Sequence, residues 1–154
     1  MTVPLKARVL LADDHPIVLN GLVLVLDQQP DFEVVAQAHD GADAVERVMS
    51  EDIDLAILDV SMPRMTGLQA AREITHRKPE VRVLILSMHE NEEYFFEALA
   101  SGASGYVLKT AVDRDLVEAC RAAMRGEPFL YPGPVRALIP EHLQDLDPDR
   151  IADD

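Results

Sequence analysis

The chain of 154 residues is long enough for one domain with a sizeable core, and its 48% hydrophobic residues exclude disorder throughout. Its 28 acidic residues outnumber 14 basic ones, a formal net charge of −14, so the chain alone is not expected to bind DNA or an anionic membrane. The single cysteine, Cys120, excludes an internal disulfide, and no apolar run is long enough for a membrane span. Because no signal peptide is recognisable, we expect a cytoplasmic protein.

Five apolar and β-branched segments predict buried strands, and each is followed by a segment with apolar residues at helical spacing. The strand segments are residues 8–12, 32–38, 55–58, 81–86 and 106–108. Strands that alternate with helices at this interval indicate right-handed βαβ crossovers. The sequence therefore predicts a doubly wound α/β fold, with a five-stranded parallel sheet covered by helices on both faces.

The composition changes after Gly126. Five of the ten prolines fall between Pro128 and Pro148, and residues 141–154 contain six acidic residues and one basic residue. Apart from a possible short helix at 135–139, no periodic pattern remains there. We therefore predict a compact domain at 7–126 and a Pro-rich, acidic linker or tail at 127–154.

Polar residues stand where the predicted strands end. The first strand ends at Asp13 and Asp14, the third at Asp59, the fourth at Ser87 and the fifth at Lys109. In an open parallel α/β sheet, the ligand crevice lies beyond the carboxyl ends of the strands. We therefore expect these five side chains to share one rim.

The chemistry of this set points to phosphoryl transfer. Three clustered carboxylates raise one another's pKa, and a hard divalent cation such as Mg²⁺ relieves that repulsion. Lys109 would supply a positive charge to a phosphate oxygen, and the Ser87 hydroxyl would supply a hydrogen bond. We predict that Asp59 accepts a phosphoryl group as an aspartyl phosphate.

The motifs together resemble the receiver domain of bacterial two-component response regulators, over about Val9 to Gly126. The matching segments are residues 12–15, residues 59–63 with Gly67, Ser87, and residues 102–109. The resemblance implies a flavodoxin/CheY-like fold and a signalling switch that assists its own phosphotransfer and dephosphorylation without being a classical enzyme.

The resemblance also implies partners and residue roles. Asp59 would take its phosphoryl group from a histidine kinase, with Mg²⁺ held by Asp14, Asp59 and the backbone carbonyl of Ser61. Asp13 would reach the metal mainly through water. Ser87 and Tyr106 would form the switch pair, whose rearrangement favours a homodimer.

Several details favour the LuxR-type branch of transcription factors, among them the segments 13–16 and 88–90 and the Gly-Ala-Ser-Gly-Tyr sequence before Lys109. Members of that branch carry a C-terminal helix-turn-helix domain after a linker, and they regulate transcription through it. This chain contains no basic recognition helix, so either the DNA-binding half is absent from it or the protein works without one, and we favour the interpretation as a truncated part of such a protein. DNA would be bound only through the absent domain. Met88, directly after Ser87, is bulkier than the small residue usual there and would narrow access for phosphodonors.

Three other functions were weighed. A haloacid-dehalogenase-like phosphatase would need a second acid two residues after its nucleophile, where this chain has Ser61. Nucleotide binding would need a glycine-rich phosphate loop after a strand, and none is present. A receiver-like scaffold that works without phosphate is expected to lack an acid or the lysine. The five histidines have no metal-ligand spacing and none is expected to bind metal.

Overall fold

A computed structural model describes residues 6–88, 92–127 and 129–130 of the chain. Its strands form one sheet in the order β2-β1-β3-β4-β5-β6. The strands are β1 (Ala7–Ala12), β2 (Phe32–Ala38), β3 (Leu55–Asp59), β4 (Arg82–Ser87), β5 (Gly105–Leu108) and β6 (Phe129–Leu130). All neighbouring pairs are parallel, which confirms the predicted parallel sheet.

The sixth strand differs from the prediction. Phe129 and Leu130 pair in parallel with Gly105 and Tyr106 at the free edge of β5. The sequence predicted five strands and none after Glu127, because two residues are too few to show a period of two. The remainder of the predicted tail, with its possible helix at 135–139, lies outside the described residues.

Within the described residues, five helices connect the strands, and local sequence explains where three of them begin. They are α1 (Pro16–Asp27), α2 (Gly41–Ser50), α3 (Gly67–Arg77), α4 (Glu92–Ala100) and α5 (Val112–Met124). Pro16 occupies the first turn of α1, where its missing N–H costs little. Asp40 caps α2 by accepting a hydrogen bond from the Asp43 N–H, and Thr66 caps α3 in a capping box with Gln69. A 3₁₀ turn (Lys109–Ala111), which the sequence did not predict, precedes α5.

Side chains that alternate along the strands build two separate cores. On one face of the sheet, helices α1 and α5 cover the first core, which we call the α1–α5 core. On the other face, helices α2, α3 and α4 cover the second, which we call the α2–α4 core. In β3, for example, Leu55 and Ile57 face the first core, whereas Ala56 and Leu58 face the second. This arrangement confirms the predicted sheet with helices on both faces.

Helix α5 supplies a buried stripe to the α1–α5 core, as its spacing predicts. Leu116, Ala119, Cys120 and Ala123 are each fully buried. Burial raises the pKa of the Cys120 thiol far above its ordinary value.

Among the described residues, no helix is long and apolar enough to cross a membrane.

The loop between β3 and α3 is held by a close backbone approach. The Gly67 N–H donates to the Val60 carbonyl at 3.0 Å. A Cβ placed on Gly67 would lie 2.0 Å from the backbone carbonyl oxygen of Asp59. Only glycine therefore allows α3 to begin this close to the end of β3.

We expect Gly67→Ala to lower the free energy of unfolding by at least 1–3 kcal/mol, roughly the cost of overpacking a site that cannot relax. Gly21→Ala is the matched control, because no atom lies within 4 Å of a Cβ at that helical position. That control should instead stabilise the domain by about 0.5–1 kcal/mol. Urea denaturation of both variants measures the difference, and equal stability of the two would contradict this account of the loop.

Candidate functional site

The carboxyl ends of three strands bring together two buried acids and one lysine. Asp13 directly follows β1, Asp59 is the last residue of β3, and Lys109 directly follows β5. Asp13 is fully buried and Asp59 is 2% exposed. The predicted shared rim is therefore present in the fold.

Lys109 bridges the two buried carboxylates. Its Nζ lies 2.7 Å from Asp13 Oδ2 and 3.1 Å from Asp59 Oδ1. The lysine side chain is only 9% exposed, so water screens these ion pairs weakly. A solvated surface lysine would not hold this position.

Burial and neighbouring charge shift the pKa of two of these groups. Desolvation, followed by the charge of Asp13, raises the pKa of Asp59 above its ordinary value, although Lys109 partly opposes the rise. Burial alone would lower the pKa of Lys109, but its hydrogen bond to Asp13 and the charge of Asp59 outweigh that effect and raise it. The lysine is therefore held as a cation beside a carboxylate that is costly to ionise.

The acidic cluster has the composition of a cation site. One ligand atom from each of Asp13, Asp14, His15 and Asp59 lies within 4.8 Å of the others. Asp59 Oδ2 is buried and has no hydrogen-bond partner among the described residues. A buried acceptor without a donor is unfavourable, and a bound cation would satisfy it. The residues present therefore fit a hard divalent cation.

His15 joins this cluster, although the sequence predicts that no histidine binds metal. Its Nδ1 lies 3.0 Å from Asp13 Oδ1 and 3.0 Å from Asp14 Oδ1, and its ring is 64% exposed. Its backbone N–H also donates to Asp13 Oδ1 at 2.9 Å. Direct adjacency to an Asp-Asp pair at a strand end was the available signal.

Ser61 lies in the exposed loop two residues after Asp59. Its backbone N–H approaches Asp59 Oδ1 at 3.4 Å, at the long limit of a hydrogen bond. The loop thus turns around the end of β3 and keeps its backbone beside the carboxylate.

Ser87 and Tyr106, the predicted switch residues, are both fully buried. Ser87 ends β4, and the ring of Tyr106 belongs to the α2–α4 core. In this structure the ring of Tyr106 is therefore turned inward. Met88, the next residue after Ser87, is 62% exposed and lines a groove of about 490 Å³ together with Lys109 and Ile17.

Sequence comparison identifies the class of protein. Residues 9–121 match the response regulator receiver domain family. This region covers more than half of the chain, and the chain therefore belongs to that family.

The curated relatives are transcriptional and oxygen-regulatory proteins. The chain is 37% identical over 137 residues to the transcriptional regulatory protein DegU of Brevibacillus brevis, covering 89% of this chain and 58% of DegU. It is 38% identical over 143 residues to the oxygen regulatory protein NreC of Staphylococcus carnosus, covering 92% of this chain and 66% of NreC. The chain thus spans only about three fifths to two thirds of these relatives' length.

Solved structures place the chain in the LuxR-type branch. A LuxR-family response regulator from Aurantimonas sp. SI85-9A1 superposes with a TM-score of 0.82 at 33% identity, covering 89% of this chain and 97% of that one. The receiver domain of the putative response regulator NarL from Mycobacterium tuberculosis gives a TM-score of 0.77 at 35% identity. The match covers 80% of this chain and 100% of that one. The predicted receiver fold and branch are confirmed.

The raised pKa of Asp59 predicts a pH-dependent stability. At a pH above the raised pKa of Asp59, the folded protein must carry a buried, ionised carboxylate at this position. Asp59→Asn removes that charge, and Lys109 still has Asp13 as its ion-pair partner. In EDTA at pH 7 we therefore expect Asp59→Asn to be more stable than the wild type. The difference in unfolding free energy between Asp59→Asn and the wild type should become smaller as the pH falls through the pKa that Asp59 has in the folded state. It should be smallest near pH 4, roughly where the carboxyl group also takes up a proton in the unfolded chain.

Urea denaturation at pH 7 and at pH 5 measures this difference. Asp52→Asn is the control, because Asp52 is exposed and its replacement should change the unfolding free energy by no more than about 0.5 kcal/mol at either pH. If Asp59→Asn were less stable than the wild type at pH 7 in EDTA, the ionised Asp59 would be a net stabilising group.

Proposed function

We propose that this domain is a phosphorylation-activated switch in which Asp59 accepts a phosphoryl group from a histidine kinase. The observation that carries the proposal is the environment of this carboxylate. Asp59 is buried beside Asp13, Lys109 holds its Oδ1, and its Oδ2 is without a hydrogen-bond partner among the described residues. A structural carboxylate would have both oxygens satisfied.

In the proposed transfer, a carboxylate oxygen of Asp59 attacks the phosphorus of a phosphohistidine. A new O–P bond forms as the N–P bond breaks, and the departing imidazole nitrogen takes up a proton. The transfer gains its rate from positioning and charge stabilisation rather than from a further covalent step. Lys109 lies close enough to Asp59 to pair with an oxygen of the transferred group.

Asp14, Asp59 and the backbone carbonyl of Ser61 are the proposed Mg²⁺ ligands, and Asp13 would act mainly through water. Bound there, Mg²⁺ would neutralise charge on the phosphoryl oxygens. The fit rests on the crowded carboxylates and on the unsatisfied Asp59 oxygen. His15 narrows this site from the solvent side, because it contacts both Asp13 and Asp14.

Ser87 and Tyr106 are proposed to report the phosphorylated state. Ser87 ends the strand next to that of Asp59, so its hydroxyl is placed to turn toward a phosphoryl group. Tyr106 lies on the following strand and would repack behind it. Phosphorylation would shift the equilibrium between two conformations of the domain, because the phosphoryl group makes more favourable contacts in one conformation than in the other.

The proposed output is a homodimer that biases a DNA-binding domain in a longer protein. The names of the relatives DegU and NreC describe transcriptional and oxygen regulation, and this chain covers only part of each. The receiver unit is proposed to span residues 7–126, with 127–154 as the linker to that domain. The domain would assist its own phosphotransfer and dephosphorylation in the cytoplasm without being a classical enzyme.

Intact-mass spectrometry after incubation with Mg²⁺ and acetyl phosphate tests the proposal. We expect one added phosphoryl group on the wild type, none on Asp59→Asn, and none when EDTA is present. Size-exclusion chromatography with light scattering should then show a larger dimer fraction in the phosphorylated sample. If Asp59→Asn gained the same mass, the phosphoryl group would be on another residue, and the assignment of Asp59 as the phosphoacceptor would be wrong.

Met88 is expected to limit entry of small phosphodonors, because its exposed side chain lines a groove together with Lys109. We expect Met88→Ala to accept phosphate from acetyl phosphate severalfold faster than the wild type, with little change in stability. Leu24→Ala is the control: Leu24 is a comparably exposed apolar residue of α1, at 65%, and does not line that groove. Equal rates for the three proteins would show that Met88 does not obstruct the donor.

A further inference from the structure

The loop that follows Asp59 is attached to the start of a helix from a different part of the chain. Within this loop the Met65 carbonyl accepts a hydrogen bond from the Gly41 N–H at 3.0 Å. A Cβ on Gly41 would lie 2.1 Å from the same carbonyl oxygen. The first turn of α2 and the β3–α3 loop are therefore in direct backbone contact.

A side-chain ion pair reinforces this contact. Arg64 directs its guanidinium at Asp40, with Nε 3.1 Å from Asp40 Oδ2 and an additional hydrogen bond from Nη2. Asp40 is 4% exposed and uses its other oxygen, Oδ1, to cap α2 by accepting from the Asp43 N–H at 2.8 Å. Both oxygens of Asp40 thus serve defined partners, one in the helix and one in the loop.

Arg64 has an unusual backbone conformation for its residue type. Its φ is +65°, and it is the one non-glycine residue with positive φ among those described. Side chains with a Cβ disfavour this region, and such residues persist where surrounding contacts fix them. The two hydrogen bonds to Asp40 hold the Arg64 side chain, and a hydrogen bond from the Met65 N–H to the Pro63 carbonyl at 2.7 Å closes the turn around it.

We propose that Asp40 and Arg64 are a positioning pair that holds the β3–α3 loop in the shape required by the cation site. The inference rests on the proposed function, because Ser61, whose carbonyl is a proposed Mg²⁺ ligand, lies three residues before Arg64 in the same loop. Gly67 fixes the far end of the loop through Val60. Without the ion pair, the described hydrogen bonds that still hold the loop are those at its two ends, the contact of Met65 with α2 and the turn from Pro63 to Met65.

Among the described residues, Arg64 forms its ion pair with Asp40 and none with Asp13, Asp14 or Asp59. Its effect is therefore expected on the shape of the loop, through the backbone it fixes. This distinguishes the pair from Lys109, which touches Asp59 directly. Neither member of the pair is a catalytic residue.

Hydrogen exchange of the metal-free protein in EDTA tests the pair directly. We expect the hydrogen-bonded loop amides of Met65 and Gly67 to exchange at least about tenfold faster in Arg64→Gln than in the wild type, because local opening becomes easier. Amides of α2 beyond its first residue, Gly41, should keep their protection, since the Asp40 cap on Asp43 remains. Arg47→Gln is the matched control: it removes the same charge from an exposed arginine of α2 whose partners, Asp43 and Glu51, do not contact the loop.

A second variant separates the ion pair from the backbone conformation. Arg64→Gly also removes the guanidinium but accepts positive φ without strain. Faster loop exchange in both Arg64→Gln and Arg64→Gly supports the pair as the restraint. Faster exchange in Arg64→Gln alone would assign the effect to backbone strain, and unchanged exchange in both would remove the pair from any positioning role.

Calorimetric titration with Mg²⁺ connects the loop to the site. We expect Arg64→Gln to weaken Mg²⁺ binding severalfold, while its phosphorylation rate at saturating Mg²⁺ stays close to the wild type. Its free energy of unfolding should fall by no more than about 1 kcal/mol, because the Arg64 side chain is 73% exposed. Equal affinity in Arg64→Gln and the wild type would overturn the link between the loop and the metal. If the wild type itself bound no Mg²⁺, the proposed function would fail, whereas the exchange result would still decide whether the pair holds the loop.

Discussion

The bridge from Lys109 to Asp13 and Asp59 is the interaction on which the arrangement of this domain depends. It joins the ends of β1, β3 and β5, although β4 separates β3 from β5. Removing Lys109 would leave two buried carboxylates without their counter-charge, and breaking a buried ion pair in this way costs roughly 3–5 kcal/mol. With Asp14 nearby, one ammonium faces three carboxylates, and the site retains a negative charge that a divalent cation can offset.

The sequence predicted the sheet and most of this site for a physical reason. Parallel strands end at one rim, so polar residues directly after buried apolar runs are brought together whatever the connecting helices do. Asp13, Asp59 and Lys109 follow that rule. His15 is not covered by this rule, because its ring joins the cluster by contacting the two residues directly before it in the chain, Asp13 and Asp14. Strand β6 was missed because two residues carry no periodic signal.

The attachment of the β3–α3 loop to α2 was also beyond sequence reasoning. Asp40 and Arg64 are 24 residues apart, and neither belongs to a pattern that would pair them. Asp40 caps α2, but a cap uses only one carboxylate oxygen. The partner of the second oxygen depends on the loop path, which close backbone contacts at Gly41 and Gly67 define. Such contacts follow from three-dimensional packing rather than from local propensity.

The two cores on opposite faces of the sheet have a mechanical consequence. Tyr106 belongs to the α2–α4 core, whereas its neighbour Val107 belongs to the α1–α5 core. A close-packed interior transmits a change in side-chain volume to the atoms it touches. Movement of the Tyr106 ring would therefore deform the half of the domain that contains α4 and leave the other half as a rigid support. The β-sheet then acts as a partition, which confines a signal to one side of a small protein.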